Sequence, residues 1–452
     1  MGCQRSPAQG CGAWNSAHRL TAIGNTSQAN DAAGKPGVVG LSGGIAFDRA
    51  ACRARSSIVV PSAFTRTMES IPIGMRGFLP AASVRETGGA GNKRHAIICF
   101  IDTSFSIVTE DNPMTIGDPA WLQLTPETAL EPELPICDPH HHVWAQRHEP
   151  PAYQRYLLPD LAADIRASGH NVRSTVFIEV KAFYRNHGPE AMQPVGEVEH
   201  VNGLAEEAAS GKHGPTKIAA GIVGHADLKL GERVTPVLEA LQAASPGRFR
   251  GIRHSAGWDA SPELVQRDIR GVMSTAQYRA GARVLAKMGL TLDNSLYHPQ
   301  LDELAELARA VPELTIVANH IGGLVRVGPY ANHDDTVLAE WRRGVAAVAA
   351  CPNVVLKLGG VGQKRFGFDW LARAKPIGSA ELANTLAPLM HYCIEQFGPQ
   401  RCMFESNFPV DKVSYSYTIV FNAFKRLSKS YSATERAAMF HDTAARVYRI
   451  AA

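Results

Sequence analysis

From residue 134 onward the chain alternates between two hydrophobic rhythms. Short runs rich in Val, Ile, Leu and Phe recur every 25 to 50 residues or so, and most are followed by a segment whose apolar positions repeat at helical spacing. Eight such runs can be placed, at residues 135–142, 174–180, 217–224, 249–254, 290–293, 314–320, 353–358 and 401–407. The intervening segment 299–309 shows the helical rhythm plainly, with Leu301, Leu304, Ala305 and Ala308 along one face. Gly169, Gly211 and Gly289 fall where helices are expected to stop, because glycine adopts the left-handed C-cap conformation at no steric cost. Eight strand–helix units predict an α/β protein folded as a (β/α)8 TIM barrel, whose active site lies at the C-terminal ends of the strands. A doubly wound open sheet is the alternative. The unusual polar residues favour the barrel, because they fall at strand ends.

Residues 1–113 follow neither rhythm. Gly, Ser, Ala and Arg are scattered there without sustained periodicity, so the stretch is expected to be a low-complexity, disordered extension preceding a barrel domain at 114–452. The simpler reading is an upstream extension of the reading frame, with the working protein starting near Met114. The alternative is an organelle transit peptide, since the stretch is rich in Arg and poor in acids. Localisation follows the same choice: cytoplasmic, or organellar if a transit peptide is present.

Charge separates the two parts as well. Residues 1–113 carry 11 Lys and Arg against 7 Asp and Glu, and the remainder carries 35 of each. A balanced domain lacks the basic surplus that phosphate binding requires, so no nucleic-acid partner is expected. No window approaches the ~18 apolar residues of a membrane span, so no membrane partner is expected either. The 8 cysteines are widely spaced without a C-x-x-C pair, a pattern of reduced thiols rather than a disulfide framework or zinc knuckle. The expected partner is a small-molecule substrate, with a homo-oligomer left open.

The first strand ends in Asp138-Pro-His-His-His-Val-Trp144. In extended backbone His140 and His142 point to one face and can converge on an ion or a substrate oxygen, Asp138 lies one step deeper, and His141 points away as a structural residue. This motif, with Leu296-Tyr-His-Pro-Gln300, Ala318-Asn-His-Ile-Gly-Gly323 and Met403-Phe-Glu-Ser-Asn-Phe-Pro-Val-Asp411, resembles the amidohydrolase-related superfamily. The resemblance is to its predicted metal-dependent hydrolases of TIM-barrel fold, the branch that includes sugar lactonases and the pyrone-dicarboxylate lactonase, and it spans roughly residues 134–452. It implies that His140 and His142 are the paired first-strand histidines and that His320 is the histidine ending the sixth strand. Asn407 stands where most relatives have an Asp, and an amide cannot take a proton from water. No strand-five histidine matches: Asp293 and Asn294 occupy that strand end and His298 lies in the loop after it. The implied cofactor is therefore one divalent ion, zinc or similar, held weakly by His140, His142 and His320, or none.

If Asn407 is not the base, Asp411 is the first substitute, reaching over the mouth, and Glu405 the second, deeper and in need of a partner such as Lys357 or Arg253. The competing reading of Asp411 is a helix cap or a pair with Lys412. Arg253, Lys181 and Lys357 are placed to hold a substrate carboxylate or polarise a carbonyl, although an internal Arg253–Glu179 pair is an equal alternative. His254 would orient a leaving oxygen or bond a loop carbonyl. The resulting expectation is a lactonase-like hydrolase that opens a small cyclic ester of a sugar acid or aromatic-degradation acid at the acyl C–O bond. A decarboxylase of the same superfamily and a catalytically silent metabolite-binding barrel are the alternatives.

Overall fold

A computed structural model of the chain describes residues 117–147, 153–264 and 269–451, together with five short strands before them. Those strands, Val38–Leu41, Ile45–Asp48, Ser57–Pro61, Val84–Glu86 and His95–Cys99, pair antiparallel in the order first, second, third, fifth, fourth. They grow from β-branched runs too brief to register as a rhythm, such as Ile58-Val59-Val60. The rest of the expected extension, and the expected start near Met114, lie outside the described residues.

Pro113–Ala452 forms its own compact unit. Its eight strands are β1 (Ile136–His141), β2 (Val172–Ile178), β3 (Lys217–Gly224), β4 (Phe249–Arg253), β5 (Thr291–Asn294), β6 (Ile316–Ala318), β7 (Val354–Gly359) and β8 (Cys402–Glu405), all parallel and each paired with the next. The ring closes just past β8, where His142 N donates to Phe408 O at 2.8 Å and Asn407 N donates to His140 O at 2.9 Å. This is the expected barrel. The observed strands stop one or two residues short of several expected ends because the polar residues there, His320 and Asn407 among them, turn into the mouth rather than continuing the ladder.

Period-two alternation divides the strands between two cores. Outward residues such as Phe177, Ile222, Ile252, Leu292, Leu356 and Phe404 join one large cluster with the surrounding helices. Inward residues Cys137, Val176, Ile178, Val223, Val317, Val355 and Met403 form a second cluster with Ala444, Val447 and Tyr448 of the C-terminal segment, which fills the barrel floor. Gly169 and Gly289 end their helices at φ 70° and 66°, as their sequence positions predict. Among the described residues no helix is long and apolar enough to cross a membrane.

Candidate active site

The barrel interior is layered. Above the apolar floor lies a buried polar layer in which Lys357 Nζ donates to Asp293 Oδ1 at 2.8 Å, and Tyr448 and Asn319 donate to the same carboxylate. Both charges are fully buried, so they persist only because each meets the other and their hydrogen bonds are made. On this layer rest His140, His142 and His320, with Glu405 among them.

Unusual backbone marks the same end of the barrel. His320 and Asn407 have φ of 55° and 56°, a region that disfavours side chains. His320 folds against Gly360, where a Cβ would lie 1.8 Å from His320 Nδ1, so only glycine admits the ring. His320 N and Nδ1 both donate to Glu405 Oε1, at 3.1 and 2.8 Å. The sequence places these two residues 85 apart, and β6 and β8 bring them together.

His140 sits between two acceptors. Its Nε2 is 3.2 Å from His142 Nε2, and its Nδ1 is 2.6 Å from Glu405 Oε2. His142 Nδ1 faces Ile178 O at 2.7 Å, and since a carbonyl only accepts, that nitrogen carries the His142 proton and His142 Nε2 is bare. A neutral His140 has one proton for two contacts. Burial, with the charge of Lys357 beside it, holds the His140 imidazole well below its ordinary pKa, so a second proton is disfavoured. Glu405 Oε2 has no aligned hydrogen-bond donor. Arg253 Nη1, 3.3 Å from His140 Nε2, and Lys357 Nζ, 3.4 Å from His140 Nδ1, bring cationic donors to the ring, and His140, His320 and Glu405 offer ligand atoms within 4.8 Å of one another. The residues therefore fit a divalent ion.

Burial dominates the other titrations too. It keeps His142 and His320 neutral, helped by Arg253 at the first and by Arg365 at the second. It pushes the Glu405 carboxyl up to about 7, against the lowering effect of Lys357. Asp138, one step below His140, is tied to Ser406 N, Ser406 Oγ and Tyr417 OH and serves to close the barrel seam.

The remaining expected residues are placed as follows. Asn407 Nδ2 donates to Asp411 Oδ1 at 2.7 Å, while Asp411 Oδ2 accepts from Gly362 N at 2.8 Å and Tyr415 OH at 2.7 Å. Asp411 is thus not a free carboxylate reaching over the mouth; it is fully buried with both oxygens occupied, and it fixes the Asn407 amide. Nor does it pair with Lys412, which binds Asp164 instead. Arg253 does pair with Glu179, through Nε at 2.9 Å and through Nη2 to the Glu179 carbonyl, leaving Nη1 3.3 Å from His140 Nε2. His254 Nδ1 accepts from Leu228 N at 3.2 Å beside Tyr278, and among the described residues its ring bonds no loop carbonyl. Lys181 is exposed at the rim with φ 61°, apart from the histidine cluster. His298 also stays outside it, accepting from Val325 N. His141 is buried against Phe177, pointing away from His140 and His142 with neither ring nitrogen bonded.

Two features escape sequence reasoning. Glu197, on the helix Val195–Ala209, backs Glu179 and accepts from Val180 N and Ala182 N; burial and the Glu179 charge push its carboxyl up to about 8. Arg365, in the loop after β7, carries its charge to within range of His320, Glu405 and Arg253. Arg365, next to Lys364 in a short turn between β7 and β8, gives no periodic signal.

Comparison with known proteins gives the family. The chain is 32% identical over 335 residues to the uncharacterized protein y4mH of Sinorhizobium fredii, covering 70% of this chain and 99% of that one. It is 27% identical over 278 residues to the L-fucono-1,5-lactonase of Burkholderia multivorans, covering 59% of this chain and 87% of the relative. A solved amidohydrolase from Burkholderia multivorans with bound zinc superposes with a TM-score of 0.55 at 25% identity, over 70% of this chain and 99% of that one. The amidohydrolase family model matches residues 137–450, and the chain belongs to that family.

Proposed function

We propose that the protein is a hydrolase that opens the ring of a small lactone with water. The observation that carries this reading is the Glu405–His320 pair beside His140 and His142 at the barrel mouth. The likeness to an L-fucono-1,5-lactonase supports the choice of substrate class.

A divalent ion held by His140, His320 and Glu405 would polarise the ring carbonyl and acidify water, and the zinc of the solved relative supports such an ion. The chain's own groups divide the remaining work. Asn407, its Nδ2 pinned by Asp411, keeps a carbonyl oxygen to accept a hydrogen bond from the attacking water. Where no ion engages Glu405, the Glu405–His320 pair takes that water's proton as one coupled unit, since a carboxyl pushed up to about 7 is matched to base catalysis near neutrality; an ion on the same atoms would replace that base by acidifying the water. Arg253, with Nε and Nη2 tied to Glu179, offers Nη1 to the charge that develops on the carbonyl oxygen. Collapse breaks the acyl C–O bond, and the same pair returns the proton to the departing alkoxide.

The test is a panel of lactones followed by proton release, and of hydroxybenzoic acids followed by CO2 release, each with and without chelator. Lactone hydrolysis is expected. CO2 release without lactone turnover would replace this reading with decarboxylation, and neither activity would leave a binding barrel.

A further inference from the structure

Among the described residues at the mouth, two buried cations have carboxylate partners and the half-buried Arg365 has none. Arg253 is paired with Glu179 and Lys357 with Asp293. Arg365 has solvent-shielded Nε and Nη2 atoms with no hydrogen-bond partner. Of the nearby carboxylates, Asp411 is committed to Asn407, Gly362 and Tyr415, and Glu405 faces His320 and His140 rather than Arg365. A buried guanidinium edge left without acceptors costs free energy, and such a cost persists where a ligand satisfies it.

The identity of the two orphan nitrogens is informative. Nε–H and the neighbouring Nη2–H point along the same edge in the guanidinium plane, forming the fork whose spacing matches the two oxygens of a carboxylate. The fork is held in place. The Arg365 guanidinium lies over the rings of Tyr297 and Phe366, 5.8 and 5.0 Å from their centroids, and its carbonyl accepts from Arg326 N at 2.8 Å. The turn behind it closes at Gly367, where a Cβ would come within 2.7 Å of Arg326 Cβ. An unpaired fork flanked by two aromatic rings, its charge felt at His320 and Glu405, is suited to receive an anion.

We propose that Arg365 binds a carboxylate of the substrate or product through its Nε and Nη2 donors. The carboxylate has two sources, a substituent already on the lactone or the group formed when the acyl C–O bond breaks; only the choice between them rests on the proposed hydrolase activity.

Calorimetric titration of the full chain with D-galactonate and with its neutral amide, D-galactonamide, tests the receptor without requiring turnover. Wild type is expected to prefer the acid. Arg365→Gln should weaken galactonate binding about 10- to 100-fold, the range for a hydrogen bond to a charged group, and leave galactonamide unchanged. Arg365→Lys, which keeps the charge but not the fork, should restore only part of the loss, and thermal melts establish that both variants fold. Kinetics then separate the sources. A fall in kcat/KM on the acidic D-glucaro-1,4-lactone alone identifies a substituent, and an equal fall on the neutral D-galactono-1,4-lactone identifies the nascent carboxylate. Equal wild-type affinity for acid and amide, absence of galactonate binding, or an unchanged affinity in Arg365→Gln overturns the proposal. Loss of the lactonase reading alone would leave the calorimetric result standing.

Discussion

Replacing Glu405 by Gln removes the group on which the proposed chemistry turns while keeping its shape. Glu405 Oε1 accepts two hydrogen bonds from His320, and Oε2 lies 2.6 Å from His140 Nδ1. A glutamine can present its oxygen to His320, but its NH2 then faces His140 and can take no proton from water. Hydrogen bonds to a charged acceptor contribute about 1.5–3 kcal/mol each, yet burial already disfavours this carboxylate, so the two effects largely offset in stability. Catalysis has no such compensation. Losing a general base costs about two to four orders of magnitude in rate. The expected outcome is therefore a fall of that size in kcat/KM on a lactone, with a melting temperature within a few degrees of wild type. The wild-type rate should rise with pH through about 7, because the deprotonated form is the active one, and that limb should vanish in the variant. Proton-release assays across pH 5 to 9 on chelated enzyme read both. A variant within about threefold of wild type, keeping the same pH midpoint, would refute the assignment.

Other consequences can be checked on the same preparation. His141 is buried with both nitrogens unbonded, and burial pushes its imidazole down to about 3. The unfolded chain then binds more protons than the native one below about 6.5, so wild-type stability falls as pH drops from there towards 3, by up to about 1.4 kcal/mol per unit. His141→Leu should be neutral or stabilising at pH 7, with an advantage that grows on acidification and turnover unchanged; a loss of activity would place the ring in the chemistry. Lys357→Met should destabilise by about 3–5 kcal/mol by leaving Asp293 buried without its cation, and adding Asp293→Asn should recover much of that in chemical denaturation. Additive losses would contradict the pairing. Asn407→Asp should tighten divalent-metal binding in calorimetry by adding an anionic oxygen beside the histidines, and an unchanged affinity would place position 407 outside the coordination shell.

The barrel was legible because its evidence is periodic. Phe177, Leu292 and Phe404 face outward and Val176, Val317 and Met403 inward as alternation requires, and Gly169 and Gly289 stop helices where they were expected. His140 and His142 were legible for the same reason, being two residues apart on one strand. What sequence could not show is which polar groups are already satisfied. In the sequence Asp411 reads as the carboxylate reaching over the mouth and Glu405 as the deeper one in need of a partner. Only the fold reveals that Tyr415, Gly362 and Asn407 occupy the first, while the second keeps an oxygen without an aligned donor. The Arg253–Glu179 pair was readable as one of two alternatives, because β2 and β4 place both residues near strand ends. Arg365 was not, because its role depends on the absence of a partner.

The most direct test of the account is hydrolysis of D-galactono-1,4-lactone and related lactones in H2(18)O, with the products sequenced by tandem mass spectrometry. Attack of water at the acyl carbon predicts a single heavy oxygen, located in the new carboxylate, with incorporation that slows by about two orders of magnitude or more in Glu405→Gln. Label on the alcohol carbon, or no turnover of any lactone by the folded, metal-supplemented wild type, would contradict it.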